Sequence, residues 1–176
     1  MPARPHPTDP RGRSVREHMV HQCMSEDFWF RTMLQIDVGA PPLPANETRL
    51  DFLFRYAEDS EKRLRLLQIQ EDSWWVQSTT FIDVVRSRAW IMTRRLVHTA
   101  HHRGQLAAMA RMLGHELHST YGPTADTGGL MQNQAPTIYA YPDAALLLHA
   151  ESAGGPKKAL PGPGNHPSTE RPDRKK

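Results

Sequence analysis

The run from about Asp83 or Ser87 to Leu113 carries an apolar repeat of helical period and stops at Gly114, a residue that enters the left-handed helix-closing conformation without steric cost. At 1.5 Å per residue, about 27 residues would span roughly 40 Å. A helix of that length directs the chain toward an all-α fold. Ile91, Arg94 or Arg95, His98, His102, Gln105, Met109 and Met112 fall on one face, so two histidines stand in line with side chains that pack inward. Gly104 costs stability inside a helix, and close approach of a neighbouring helix is the expected reason for it.

Two further helices precede this one. Ser14-Val-Arg-Glu17 is a capping box, and the helix it opens is expected to run to about Leu34. Pro41, Pro42 and Pro44 force a connection. Asn46 or Thr48 then caps a second helix reaching about Ile69. Its Leu50, Leu53, Phe54, Ala57, Leu64 and Leu67 recur at helical spacing, leaving Glu58, Asp59, Glu61 and Lys62 on a solvated face. Trp74 and Trp75 read as a packing cap, and Val76 to Ile82 as a partly extended loop. Beyond Gly114, residues 119–136 are polar and glycine-rich, as in a long ordered loop or lid. Asp143 to Glu151 is expected to form a short helix whose Leu146, Leu147 and Leu148 cover an end of the bundle. The organisation is therefore a Pro/Arg-rich lead-in over 1–13, a helical domain over 14–151 and a disordered basic tail over 152–176.

The charge distribution excludes one class of partner. The chain carries a net +3, but residues 1–16 contribute +3 and residues 153–176 contribute +4, which leaves −4 for residues 17–152. A folded region of that sign lacks the basic face that phosphate binding needs, so nucleic acid is not the expected partner. No apolar run is long enough to span a membrane, and the lead-in lacks the apolar segment of a signal peptide, so a cytoplasmic setting is expected. Cys23, the one cysteine, cannot form an internal disulfide and reads as a packed thiol.

His98 and His102, four residues apart, stack one turn from each other and can converge on one ion. A third ligand must come from elsewhere, and His21 on the first helix is the best candidate. Three neutral imidazoles with an open position suit a divalent zinc, nickel or iron ion. A zinc protease would place a glutamate between the two histidines, whereas this chain has Thr99, Ala100 and His101 there. His18 and His101 are expected to flank the site rather than to ligate. Arg103 is expected to anchor an anion or to form a structural ion pair.

The string His98-x-x-x-His102-Arg103-Gly104-Gln105, with Ser14-Val15-Arg16-Glu17-His18-Met19-Val20-His21 before it, resembles the closing and opening motifs of the DinB/YfiT-like superfamily of metal-binding four-helix bundles. The resemblance covers roughly Ser14 to Gly114. It implies that His21, His98 and His102 form the metal triad. It also implies a metal-dependent enzyme activating a low-molecular-weight thiol for S-transfer to an electrophile; a non-catalytic metal-binding stress-response protein and a metal-dependent hydrolase are the alternatives. The hydrolase needs a nearby base, for which Glu26 fits poorly by position. The sequence departs from the family at Arg13, where an aromatic residue is common, and in having no counterpart of the family's first helix. The surface carrying Phe28, Trp29 and Phe30 then needs another cover: the Asp143 to Glu151 helix, a second subunit in a homodimer, or residues upstream of Met1. An open three-helix core with an exposed apolar groove is the expected result.

Overall fold

The computed structural model describes residues 8–10, 12–41, 43, 45–155 and 157–165. The chain divides into two compact units, Met1–Met109 and Ala110–Lys176. Most of the lead-in, residues 1–7 and 11, and the tail from 166 onward lie outside the described residues.

In the first unit, α1 (Val15–Trp29) begins as the capping box requires: Ser14 Oγ accepts from Glu17 N–H, and Glu17 Oε2 accepts from Ser14 N–H at 2.6 Å. The helix widens into a π turn over Phe30–Leu34, and Gln35 ends it in the left-handed conformation (φ 59°). The expected end at Leu34 thus holds, with a change of pitch. Trp29, Phe30, Met33, Leu34, Ile36 and Ile91 form the apolar core. Of the three aromatic residues expected to need a cover, only Phe28 is exposed.

Cover for Trp29 comes from a segment read as a partly extended loop. After the short α3 (Asp72–Val76), β1 (Ser78–Phe81) and β2 (Val84–Ser87) pair antiparallel with Phe81 opposite Val84. The Phe81 ring stands edge-on to Trp29 at 5.0 Å and to Trp90 at 5.1 Å. The all-α expectation is therefore corrected by one hairpin. Its β-branched Thr79, Thr80, Val84 and Val85 favour extended backbone. The two-residue turn uses Ile82 at φ 56°, where glycine or asparagine would have given the usual sequence signal.

The second long helix, α2 (Arg49–Gln68), is capped by Thr48, one of the two expected residues, in a box with Asp51; of the expected apolar stripe Leu67 packs against the core, but the stripe does not make up the whole inward face. Phe52, Asp59 and Arg63 are buried, whereas Phe54 and Leu64 are exposed. Asp59 was expected on the wet side; it is buried beside Arg55, with 3.7 Å between Oδ2 and Nε. Charged side chains turn inward because each meets an opposite charge there, which the spacing of apolar residues does not reveal.

α4 (Arg88–Met112) starts where Ser87 Oγ accepts from Trp90 N–H. It ends in a Schellman closure, with Gly114 N–H donating to Arg111 O and His115 N–H to Ala110 O, and Gly114 at φ 81°. Gly104 corrects another expectation, since a Cβ there would meet nothing within 4 Å. No neighbouring helix among the described residues requires it. Gly104→Ala is therefore expected to stabilise the protein by about 0.5–1 kcal/mol through helix propensity and lower unfolded-state entropy. A urea midpoint unchanged or lowered in that variant would show that the glycine answers a structural demand.

The second unit is organised around Asp126 and Thr127, both buried. Asp126 accepts from Arg111 Nη2 at 2.6 Å and from Leu117 N–H at 2.7 Å, and the Arg111 hydrogen bond holds its carboxyl below the usual range. Thr124 N–H donates to Thr127 Oγ1, so the glycine-rich loop is ordered by its own polar groups. Thr127 bridges Gly162, and His118 bonds Lys158 O at 2.8 Å, which places part of the segment after Ser152 along this loop. α5 (Ala144–Ser152) forms where the short helix was expected, with Asp143 as its N-cap.

Candidate metal site

His21 lies on the middle of α1, and His98 and His102 lie one turn apart on α4. One ring nitrogen from each falls within 4.8 Å of the other two, a group that could hold a metal ion. The His98 and His102 Nε2 atoms are 3.3 Å apart. Two nitrogens at metal distances of about 2.0–2.1 Å and tetrahedral angle are separated by roughly 3.3–3.4 Å. The helical pair therefore already has the spacing that an ion needs. Ring centroids place His21 4.7 Å from His102 and 5.7 Å from His98.

The second nitrogen of each α4 histidine is engaged. The Gln105 carbonyl oxygen lies 2.7 Å from His102 Nδ1; since it can only accept, Nδ1 carries the proton and Nε2 presents a lone pair to the site. Gln105 sits three residues after His102, so one helix turn supplies both ligand and orienting group. Gln105→Leu is expected to weaken metal binding by about 10–100-fold while leaving the fold intact. A chelator competition showing wild-type affinity in this variant would remove Gln105 from the site.

His98 is held differently. Arg95 Nη1 donates to His98 Nδ1 at 3.2 Å and to Ser25 Oγ at 2.5 Å, while its Nη2 donates to Gln22 Oε1 at 3.2 Å and Glu26 Oε2 at 3.3 Å. Glu26 also accepts from Arg63 Nη1 at 3.2 Å and from the Tyr56 hydroxyl at 2.8 Å. Burial, the Glu26 charge and this hydrogen bond together push the Tyr56 hydroxyl well up from its usual value, so it stays a donor. One buried network thus ties α1, α2 and α4 together and ends on a ring of the histidine cluster. Trp29 adds an apolar wall, its ring 5.5 Å from that of His98.

Burial, followed by the Arg95 guanidinium, holds His98 down at about 4. His21 and His102 are also lowered, burial again being the first cause. All three are neutral at pH 7, the form in which imidazole ligates a metal. Donor type and spacing therefore fit a divalent ion; because Arg95 donates to His98 Nδ1, the neutral ring carries its proton on Nε2, and that proton must move before the nitrogen can ligate.

The flanking histidines stand outside this group. His18 is buried with its ring 5.6 Å from that of His102, and its Nδ1 has no hydrogen-bond partner among the described residues. His101 is exposed, its ring 5.1 Å from His102. Arg103 is exposed. Cys23 is buried, and burial raises its thiol pKa, so it is a packed thiol as expected. The supporting roles of Arg95, Glu26 and Gln105 were not anticipated. The available signal was their placement: Arg95 and Gln105 share the histidine face of α4.

A family model, the DinB family, matches residues 5–150. No curated protein and no solved structure matches the chain. No helix among the described residues is long and apolar enough to cross a membrane.

Proposed function

From the premise that the chain belongs to the DinB family, we propose that His21, His98 and His102 hold one divalent zinc, nickel or iron ion and that the protein activates a low-molecular-weight thiol for S-transfer to an electrophile. The observation that carries this reading is the donor set: three neutral imidazoles converge with no carboxylate or thiolate among them. A divalent ion in such a set keeps its double charge and an open position, and would bring the pKa of a bound thiol toward neutrality. The protein's own residues then have defined tasks. Gln105 and Arg95 hold the His102 and His98 rings, and Trp29 keeps water from one side of the cluster. The thiol proton leaves to solvent; the sulfur forms a bond to the electrophilic carbon as the leaving group departs with its bonding pair.

Hydrolysis would need a free base beside the ion. Glu26 does not serve, because both its oxygens are committed to Arg63, Arg95 and Tyr56. The proposed setting is the cytoplasm, where low-molecular-weight thiols are kept reduced.

Elemental analysis of the purified protein, followed by a screen of thiols with a generic electrophile, tests the proposal. Turnover that needs both metal and thiol, and disappears on chelation, is the expected result. Stoichiometric metal without turnover for any thiol would favour a metal-holding protein instead.

A further inference from the structure

Beside the histidine cluster stands a cation that the reading above does not use. Arg13 directly precedes Ser14, the N-cap of α1, and the first turns of that helix carry His18 and His21. Its side chain is exposed and makes no hydrogen bond or ion pair among the described residues. Neighbouring arginines are committed. Arg16 Nη2 donates to Ala45 O at 3.1 Å and to Glu47 Oε1 at 3.4 Å, and Arg95 is held by Gln22, Ser25 and Glu26.

Burial lowers the His21 ring most, and the charge of Arg13 comes next, ahead of Arg95 and the other rings. The same charge acts on His18 and His102, again behind burial. Such an influence falls with distance, so a guanidinium felt by three rings stands close to all of them. By contrast, Arg94 acts on His98 alone among these rings, and there it is the weakest of the named causes.

This placement adds charge where none offsets it. Three neutral imidazoles leave a divalent ion uncompensated, and Arg13 adds to its positive field. A ligand bringing a thiolate to the ion and a carboxylate to the guanidinium would answer both charges, the flat carboxylate matching the arginine fork. Room for such a ligand exists along α1. An open groove of about 570 Å³ passes His21, with Arg16 and Glu17 at one end and Met24 and Phe28 at the other. Its polar end is the end of α1 that Arg13 precedes.

We propose that Arg13 selects the thiol by binding a carboxylate on it, which makes the substrate a carboxylate-bearing thiol. The inference rests on the thiol-activating reading above and names the class of thiol.

Calorimetric titration of the zinc-loaded full chain with 3-mercaptopropionate and 6-mercaptohexanoate, each beside its methyl ester, tests the proposal. At least one acid should bind about fivefold more tightly than its ester at low salt, the upper range for an exposed ion pair. In Arg13→Gln that preference should vanish, with metal content as in wild type. The substitution also alters the field at the rings, but acid and ester both carry the sulfur, so their ratio reports the carboxylate. Esters that bind as tightly as both acids, or a preference retained in Arg13→Gln, would overturn the proposal and leave thiol binding standing. Failure of all four compounds to bind would overturn it together with the reading on which it rests. Arg13 is exposed and lies before the helix, so Arg13→Gln should fold; Arg13→Ser is a second neutral variant read in the same way.

Discussion

Replacing Glu26 with alanine is expected to destabilise the protein by about 3–5 kcal/mol, because it leaves Arg63 and Arg95 buried without their shared carboxylate. Both arginine side chains are 2% exposed, so water cannot take over the lost role. Burial already lowers the pKa of Arg95 from its usual value, with Glu26 the first opposing influence. Against a total stability of about 5–15 kcal/mol, the loss would bring the fold close to its limit. Glu26→Gln should cost less, since an amide oxygen can still accept from Tyr56. Urea denaturation followed by tryptophan fluorescence measures both. A Glu26→Ala midpoint within error of wild type would mean that the network does not hold α1, α2 and α4 together.

The same network marks where sequence reading stopped. The caps at Ser14 and Thr48 and the closure at Gly114 were legible because each is a local event between residues a few positions apart. His98 and His102 were legible for the same reason, being one turn apart on one helix. His21 needed a family motif, since nothing local joins it to α4. The inward face of α2 was misread because apolar spacing points to Leu64, whereas Asp59 and Arg63 are buried through partners close in space but not in sequence. The hairpin was missed because Ile82 occupies a left-handed turn position that a β-branched residue rarely adopts.

His98→Ala and His102→Ala are each expected to abolish stoichiometric metal binding. Each removes one of three ligands, so the loss should exceed the roughly 10–100-fold expected for an orienting residue such as Gln105. Neither ring belongs to the apolar core, so both variants should remain folded, with circular dichroism close to wild type. Stoichiometric metal in a folded double variant would place the ion elsewhere.

The metal-free protein should also respond to pH in a defined window. His98 is held at about 4 in the folded chain against 6.5 for an ordinary histidine. Between these values the unfolded chain binds a proton that the folded chain does not, so the His98 contribution to stability falls as pH drops from about 6.5 to about 4 and levels off below. His21 and His102, also lowered, act in the same direction. Protonation competes with an ion for the same nitrogens, so metal affinity should fall over the acidic range too. A thermal midpoint that stays flat from pH 7 to pH 4 would contradict the burial of these rings.

X-ray absorption at the metal edge of the loaded wild-type protein tests the central claim most directly. Three imidazole nitrogens at about 2.0–2.1 Å, with one further light ligand and no sulfur in the absence of added thiol, is the expected shell for zinc. A sulfur neighbour at about 2.3 Å, which only Cys23 or a methionine could supply, or a shell without imidazole scattering, would contradict it.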